Sequence, residues 1–417
     1  MIRTRVTKLC RPTHLSTIRS RQHRYRKNKW PIAIVFCFLL ASCAGHELHT
    51  LVEESRLNLP PLTYDALPLS VGLVIDQNFR TYTKTKLEGG DEFRLKTTLR
   101  PGRASALTFE YLTEEMFERV EIIKDMANAS KFGDSLDLVV NAQIVDANSS
   151  EMVDPAWISV TYRADIYDSR MQPISSFVFT ARGEDKHIIM FRQTRYEHIL
   201  EQTMRNVPAQ FAYAFEDDVA IQKWLKRKGI TRATAEVAAG SGLVVVKQAD
   251  TASLASCIES EVHAAVPELR VLSAETVQDE LYPWFEPGTW LNDDTALLRF
   301  LTRPGLAEKM NQLGLRFIVY VTSQTTRDSP EESGGLMIPS IGFYGIIWFE
   351  RRSQINVRAL DLHTAQIAAD EEAQKHGTAV IPAYVVPVPF IPPTGTLACL
   401  EVGKRLAKAL AVALARP

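Results

Sequence analysis

Between Trp157 and Tyr167 apolar and polar side chains alternate without a break. Ile158, Val160, Tyr162, Ala164 and Ile166 fall on one side of an extended chain, and Ser159, Thr161, Arg163 and Asp165 on the other. That is the pattern of a strand with one buried and one wet face. Met171-Gln172-Pro173 reads as a turn and Ile174–Thr180 as the hairpin partner. The apolar run Leu69–Ile75 predicts a buried strand, Phe93–Leu95 a weaker one, and Leu138–Val145 another. After the stop at Pro101-Gly102, Phe109, Leu112, Met116 and Val120 recur at helical spacing, opposite Glu114, Glu115, Glu118 and Arg119. A long helical stretch is expected from His198 to Lys228. A restart is expected at Pro208, whose ring lacks a donor and crowds the preceding turn. The cations Lys223, Lys226, Arg227 and Lys228 suit its C-terminal end.

The segment Thr231–Ser241 is small, polar and rich in Ala and Gly, and marks a boundary. Beyond it Leu243–Val246 reads as a buried strand. A helix follows over Thr251–Ala265, with Leu254, Ile258 and Val262 inward and Cys257 beside them. Leu269–Leu272 is a short strand, and Leu281–Pro287 is aromatic and rigid. A helix carrying Leu306, Met310 and Leu313 is stopped by Gly314. Phe317–Val321 is a buried strand, and Ile347–Ala359 alternates as a long half-exposed one. Asp361–Thr364 turns the chain, and the partner from Ala365 reads as strand or helix. Cys399, Val402, Leu406, Leu410 and Ala413 line a terminal amphipathic helix. The fold class expected is α/β of the α+β type. Two similar-sized domains, 67–230 and 242–417, are joined by a linker at 231–241. Each is a mixed sheet covered by helices, in strand-helix-strand-hairpin-helix order. No residue-level repeat has a fixed period, so duplication and independent packing both stay open.

Ahead of these domains, ten Lys and Arg and no acid precede the apolar run Trp30–Ala41, which ends in Leu40-Ala41-Ser42-Cys43. The run is too short for a membrane-spanning helix, which needs roughly 20 apolar residues, and has the layout of a secretory signal. In Leu40–Cys43 the chain resembles the bacterial lipoproteins, whose lipobox ends in an obligatory cysteine. The resemblance implies that 1–42 is a signal peptide and that Cys43 carries acyl chains in the membrane. It implies that Ala44 directs the protein to the periplasmic face of the outer membrane. Residues 43–66, with Pro60-Pro61, read as a tether. In order of elements the second half looks like the α/β domains of curli-secretion lipoproteins and of the Tol-system periplasmic protein. The first half looks like accessory lipoproteins of envelope transporters. Leu281–Glu286, the Cys257/Cys399 pair and the terminal helix are similar to those of uncharacterised proteobacterial lipoproteins. No functional residue carries over from any of these.

The signal changes the charge picture. The whole chain is at −1, but removing its ten cations leaves 48 less 10, or 38, basic residues against 49 acidic ones. A mildly acidic body lacks the basic footprint of nucleic-acid binding. Of five cysteines, Cys10 and Cys37 leave with the signal and Cys43 is acylated. Cys257 and Cys399 remain, as one bridge in an oxidising compartment or as two buried thiols.

Motifs for chemistry are missing. There is no GxSxG, no phosphate loop, no GxGxxG and no HExxH, and the His residues are scattered. No cofactor and no metal is expected. His46 and His49 sit in the tether, His187 at a hairpin end and His363 in a turn. Asp217-Asp218 and Asp293-Asp294 suit helix starts better than acid/base work. Two stretches stand out. Gly334–Gly345 is apolar yet Gly-rich, and Ile381–Pro393 is apolar yet Pro-rich, which bars it from a sheet interior. They either pack over their own domain or present Leu336, Ile338, Phe343, Tyr384 and Phe390 to a partner. The expected function is a non-catalytic binding or assembly module of the cell envelope, held by its lipid and meeting an envelope protein. The alternative is a periplasmic hydrolase with a dispersed site. A cleft holding a strongly shifted titratable group would favour the enzyme.

Overall fold

Both halves of the chain fold with one connectivity. The computed structural model describes residues 47–50, 59–88, 95–150, 155–185, 192–231, 236–247, 252–286, 294–327, 332–338, 342–383 and 394–415. In the first half a strand β2 (Leu67–Val74) is followed by α1 (Gln77–Arg80), a helix α2 (Gly102–Met116) and β5 (Phe117–Ile123). After α3 (Met126–Ala129) come β6 (Leu138–Ser150), β7 (Ala156–Asp168), β8 (Pro173–Asp185) and α4 (Arg192–Asp217). The sheet order is β5-β2-β6-β7-β8, parallel on both sides of β2 and antiparallel from β6 onward. A further helix, α5 (Val219–Arg227), closes this half. The second half runs β9 (Gly242–Lys247), α6 (Ala252–Ala265), β10 (Arg270–Leu272), α7 (Ala274–Glu280), α8 (Asp294–Leu301), α9 (Leu306–Leu313) and β11 (Leu315–Arg327). It ends with β12 (Glu332–Ile338), β13 (Gly342–Asp361), β14 (Gln366–Ala383) and α10 (Thr394–Leu414). Leaving β12 aside, its order β10-β9-β11-β13-β14 repeats the first sheet in sequence and in strand direction.

The patterns that predicted elements are the ones that bury. Ile158, Val160, Tyr162, Ala164 and Ile166 are all at most 1% exposed. Close approach of helix to sheet is set by Gly183 on β8, where an added Cβ would stand 2.3 Å from the Ile199 carbonyl oxygen. In the second half Gly403 lets α10 lie against Glu261 and Ile258 of α6. Cys257 of α6 and Cys399 of α10 are joined there, with Cα atoms 6.4 Å apart.

Three expectations change, and one left open is decided. Helix α4 runs straight through Pro208; Met204, Val207 and Phe211 around it are fully buried, and packing outweighs the lost hydrogen bond. The break comes instead at Asp218, whose carboxylate accepts from the backbone N–H of Ala220 and Ile221 and starts α5. Helix α2 stops at Met116, so Glu118, Arg119 and Val120 belong to β5. The chain after Ala365, open between strand and helix in the sequence, is a strand. Part of the expected tether is a paired strand: β1 (Glu47–Thr50) pairs in parallel with β4 (Leu95–Leu99), which pairs with β3 (Lys84–Glu88).

Two apolar clusters carry most of the structure. One fills the space under α2 and α4, then continues through Trp284, Phe300 and Met310 to Val244 and Ile318, so it spans both halves. The other lies on the opposite face of the second sheet, beneath α6 and α10, and includes Phe317, Val357, Val402 and Leu406. The layers are therefore sheet, helices, helices, sheet, helices.

Candidate functional site

Leu281–Glu286 is the seam between the halves. Leu281, Tyr282, Trp284 and Phe285 are at most 1% exposed. The indole N–H of Trp284 donates to the carbonyls of Thr63 (2.7 Å) and Pro304 (3.1 Å). Tyr213 of α4 donates to the Trp284 carbonyl, and Tyr282 to the Arg205 carbonyl. Arg303 lies 4.3 Å over the Tyr213 ring and 5.5 Å from that of Trp284, and pairs with Asp217 at 2.8 Å. Tyr64, carried in from the N-terminal segment, stacks on Trp284 and donates to Glu216.

One acid in this seam is strongly perturbed. Glu286 is 3% exposed, and Arg205 grips both its oxygens at 2.9 and 3.0 Å while also pairing with Asp279. Burial pushes its carboxyl up to about 7, and the neighbouring Asp279 adds to the rise; Arg205 opposes both. A carboxyl poised there is what acid/base catalysis uses. Here, however, both oxygens are occupied by one guanidinium. A groove of about 720 Å³ is lined by Asp168, Pro173, Lys223, Trp224, Lys226 and Arg227. A second, of about 690 Å³, lies at the carboxyl ends of β2 and β5. Its acids Asp76 and Asp125 are engaged in capping α1 and α3. The cleft beside the seam reaches Asp279 but not Glu286.

Three of the other acids and histidines singled out from sequence have ordinary partners. His363 meets the Val237 carbonyl at 2.9 Å, Asp217 pairs with Arg303, and Asp218 caps α5. Asp294 opens α8 and His49 lies in β1. Among the described residues no three His, Cys, Asp or Glu gather as a metal site, and no helix is long and apolar enough to cross a membrane. Cys43, His46, His187, Asp293, Tyr384 and Phe390 lie outside the described residues.

The Gly-rich stretch is not a loop. β12 pairs antiparallel with the start of β13, Leu336 opposite Tyr344, Met337 opposite Phe343 and Ile338 opposite Gly342. On its other side β13 pairs with β14, Ile346 opposite Pro382 and Trp348 opposite Val380. Pro382 is tolerated because β14 is an edge strand. Among the described residues the last pair between β13 and β11 is Arg351 with Arg327. Beyond it Gly342–Glu350 runs on as an arm, paired with β12 over Gly342–Trp348 and with β14 over Gly345–Glu350. At ~3.4 Å per residue the arm extends about 30 Å. Its root is marked by the hydroxyls of Ser353 and Thr394, 2.8 Å apart, where α10 begins. In sequence the arm is apolar at both parities: Leu336, Tyr344, Ile346 and Trp348 on one side of the pleat, Met337, Phe343, Ile347 and Phe349 on the other. The Pro-rich stretch 384–393 lies outside the described residues; of the residues flanking it, Ala383 pairs with Gly345 and Thr394 meets Ser353. Apolar content flagged the residues of the arm in the sequence; that they form strands depends on the pairing of β12, β13 and β14.

No family model matches this chain, and no curated protein does. Among solved structures it is similar to protein XCC0632 of Xanthomonas campestris, of family model DUF330. That pair shows 8% identity and a TM-score of 0.28, over 45% of this chain and 98% of that one. Lipoprotein GNA1162 of Neisseria meningitidis is 14% identical with a TM-score of 0.19, over 28% of this chain and 85% of that one. A neuraminyllactose-binding hemagglutinin homolog from Helicobacter pylori is 11% identical with a TM-score of 0.22, over 43% of this chain and 100% of that one. The neighbours thus include lipoproteins of Gram-negative bacteria, each likeness covering less than half of this chain.

Proposed function

We propose that this chain is a lipid-anchored binding or assembly module of the bacterial envelope that performs no catalysis. The anchor is the acylated Cys43, the location the periplasmic face of the outer membrane, and the partner an envelope protein. One observation carries the reading: an arm about 30 Å long, continuous with the second sheet, with apolar residues at both parities of β13. A strand needs one apolar face to pack on its own core. Two over the same stretch suit a partner. The perturbed carboxyl that would favour a hydrolase is held by Arg205 within the seam.

A photo-crosslinking residue placed at Leu336 or Phe343 in cells is expected to capture an envelope protein. Leu336→Ser with Phe343→Ser is expected to abolish the adduct and leave the melting temperature of the body within a few degrees. A collapse of thermal stability with no adduct in the parent would make these residues core and end the interface reading. The anchor is tested separately: Cys43→Ser should lose metabolic labelling by a fatty-acid analogue, and equal labelling of parent and variant would refute it.

A further inference from the structure

The N-terminal segment leaves very little slack between the lipid and the body. β1 begins at Glu47, four positions after Cys43, and pairs with β4 from Glu47 opposite Lys96. Four residues span at most about 14 Å. Further on the segment is pinned again. The Pro60 carbonyl accepts from Tyr111, and Thr63 bonds to Tyr282 and Glu280 in the seam. The segment expected to hold the body away from the membrane therefore holds it close.

Strand directions say which end is held. β3 ends at Glu88 where β4 begins at Leu95, the end at which β1 starts. β3 also runs alongside β6 in the same direction, with Lys84 to Asp146 at 2.9 Å and Lys86 to the Ser149 carbonyl at 3.3 Å. The anchored end is thus the end of the first sheet where Ser150 pairs with Trp157, and Trp157 with Glu184. There the Arg182 guanidinium sits 4.8 Å over the half-buried Trp157 ring. Arg182 also pairs with Glu184 at 3.5 Å; the indole at this end is suited to the headgroup layer, where Trp is enriched. The turn at the opposite end, Ser169-Arg170-Met171-Gln172, lies a whole strand away, about 40 Å at ~3.4 Å per residue.

We infer that the Ser150–Trp157–Glu184 end of the first sheet docks on the lipid bilayer itself. The body lies against the headgroups and does not hang on a tether. This rests on acylation of Cys43, so the test separates the two. Acylated protein is placed in phosphatidylethanolamine–phosphatidylglycerol vesicles containing a headgroup-nitroxide lipid, after an intact-mass spectrum has established the acyl group. A thiol-reactive fluorophore is attached at Glu184→Cys or at Arg170→Cys, both exposed positions, while Cys257 and Cys399 are occupied by their bridge. Quenching at position 184 should exceed that at 170 by about threefold or more, given a separation comparable to the bilayer's hydrocarbon thickness. Inserting a flexible segment between Ala44 and Glu47 should erase the difference. Equal quenching at both positions in acylated protein, or stronger quenching at 170, overturns the docking and leaves the anchor standing. A mass spectrum without acyl chains overturns the anchor, and the docking with it.

Discussion

At Glu286 two opposing effects meet on one carboxyl: removal from water raises its pKa, and Arg205 lowers it. The folded-state value of about 7 lies above the ordinary 4.5, so the folded state holds the proton more tightly than the unfolded chain. The stabilisation from this group is complete below about 4.5 and is lost as pH rises through about 7. Glu286→Gln should therefore flatten the pH dependence of the urea midpoint across that window, by up to about 3 kcal/mol. An unchanged slope would assign the perturbation elsewhere. Nothing near Glu286 in the sequence announces this. Its partner Arg205 lies on α4, and desolvation comes from the closure of the seam. The aromatic character of Leu281–Phe285 was legible; its role was not.

Helices and strands were legible wherever period and burial agree, as in β7. They were misread where a local rule met a stronger tertiary one. Pro208 should interrupt a helix, and the buried side chains either side of it prevent that. Gly334 and Gly335 look like loop residues, and pairing with Ile346 and Gly345 makes them strand. The bridge between α6 and α10 has its own consequence. It closes a sequence separation of 142 residues, for which chain entropy predicts a stabilisation of about 4–5 kcal/mol. Val402, Leu406 and Leu410 are fully buried, so α10 should stay docked without it. Cys257→Ala with Cys399→Ala is expected to fold, with a denaturant midpoint lowered accordingly. An unshifted midpoint would show that the bridge contributes nothing to stability.

For the molecule as a whole, the halves share one apolar cluster across the seam, so they should unfold together. Trp284→Ala removes the side chain on which Tyr64, Tyr213 and Arg303 converge. The expected cost is about 3–5 kcal/mol, with one calorimetric transition in the parent becoming two in the variant. A single transition at a lower temperature would mean that the remaining contacts suffice to couple the halves. The repeated strand order also belongs to this scale. It explains why each half reads as strand, helix, strand, hairpin, helix with no residue repeat: packing constrains which positions are apolar, and leaves free which apolar residue fills them.

The sequence by itself determined the α/β class, most strand and helix positions, and the two cysteines available to pair. Each follows from short-range periodicity or from counting. It also marked the apolar stretches in β12, β13 and β14 as unusual. Only the tertiary structure decided that the two sheets share one topology, that Leu281–Glu286 joins them, and that Glu47–Thr50 is a paired strand. These depend on hydrogen bonds and burial between residues tens to hundreds of positions apart. A strand edge accepts a partner through its backbone, and the backbone carries no mark of which distant segment will come.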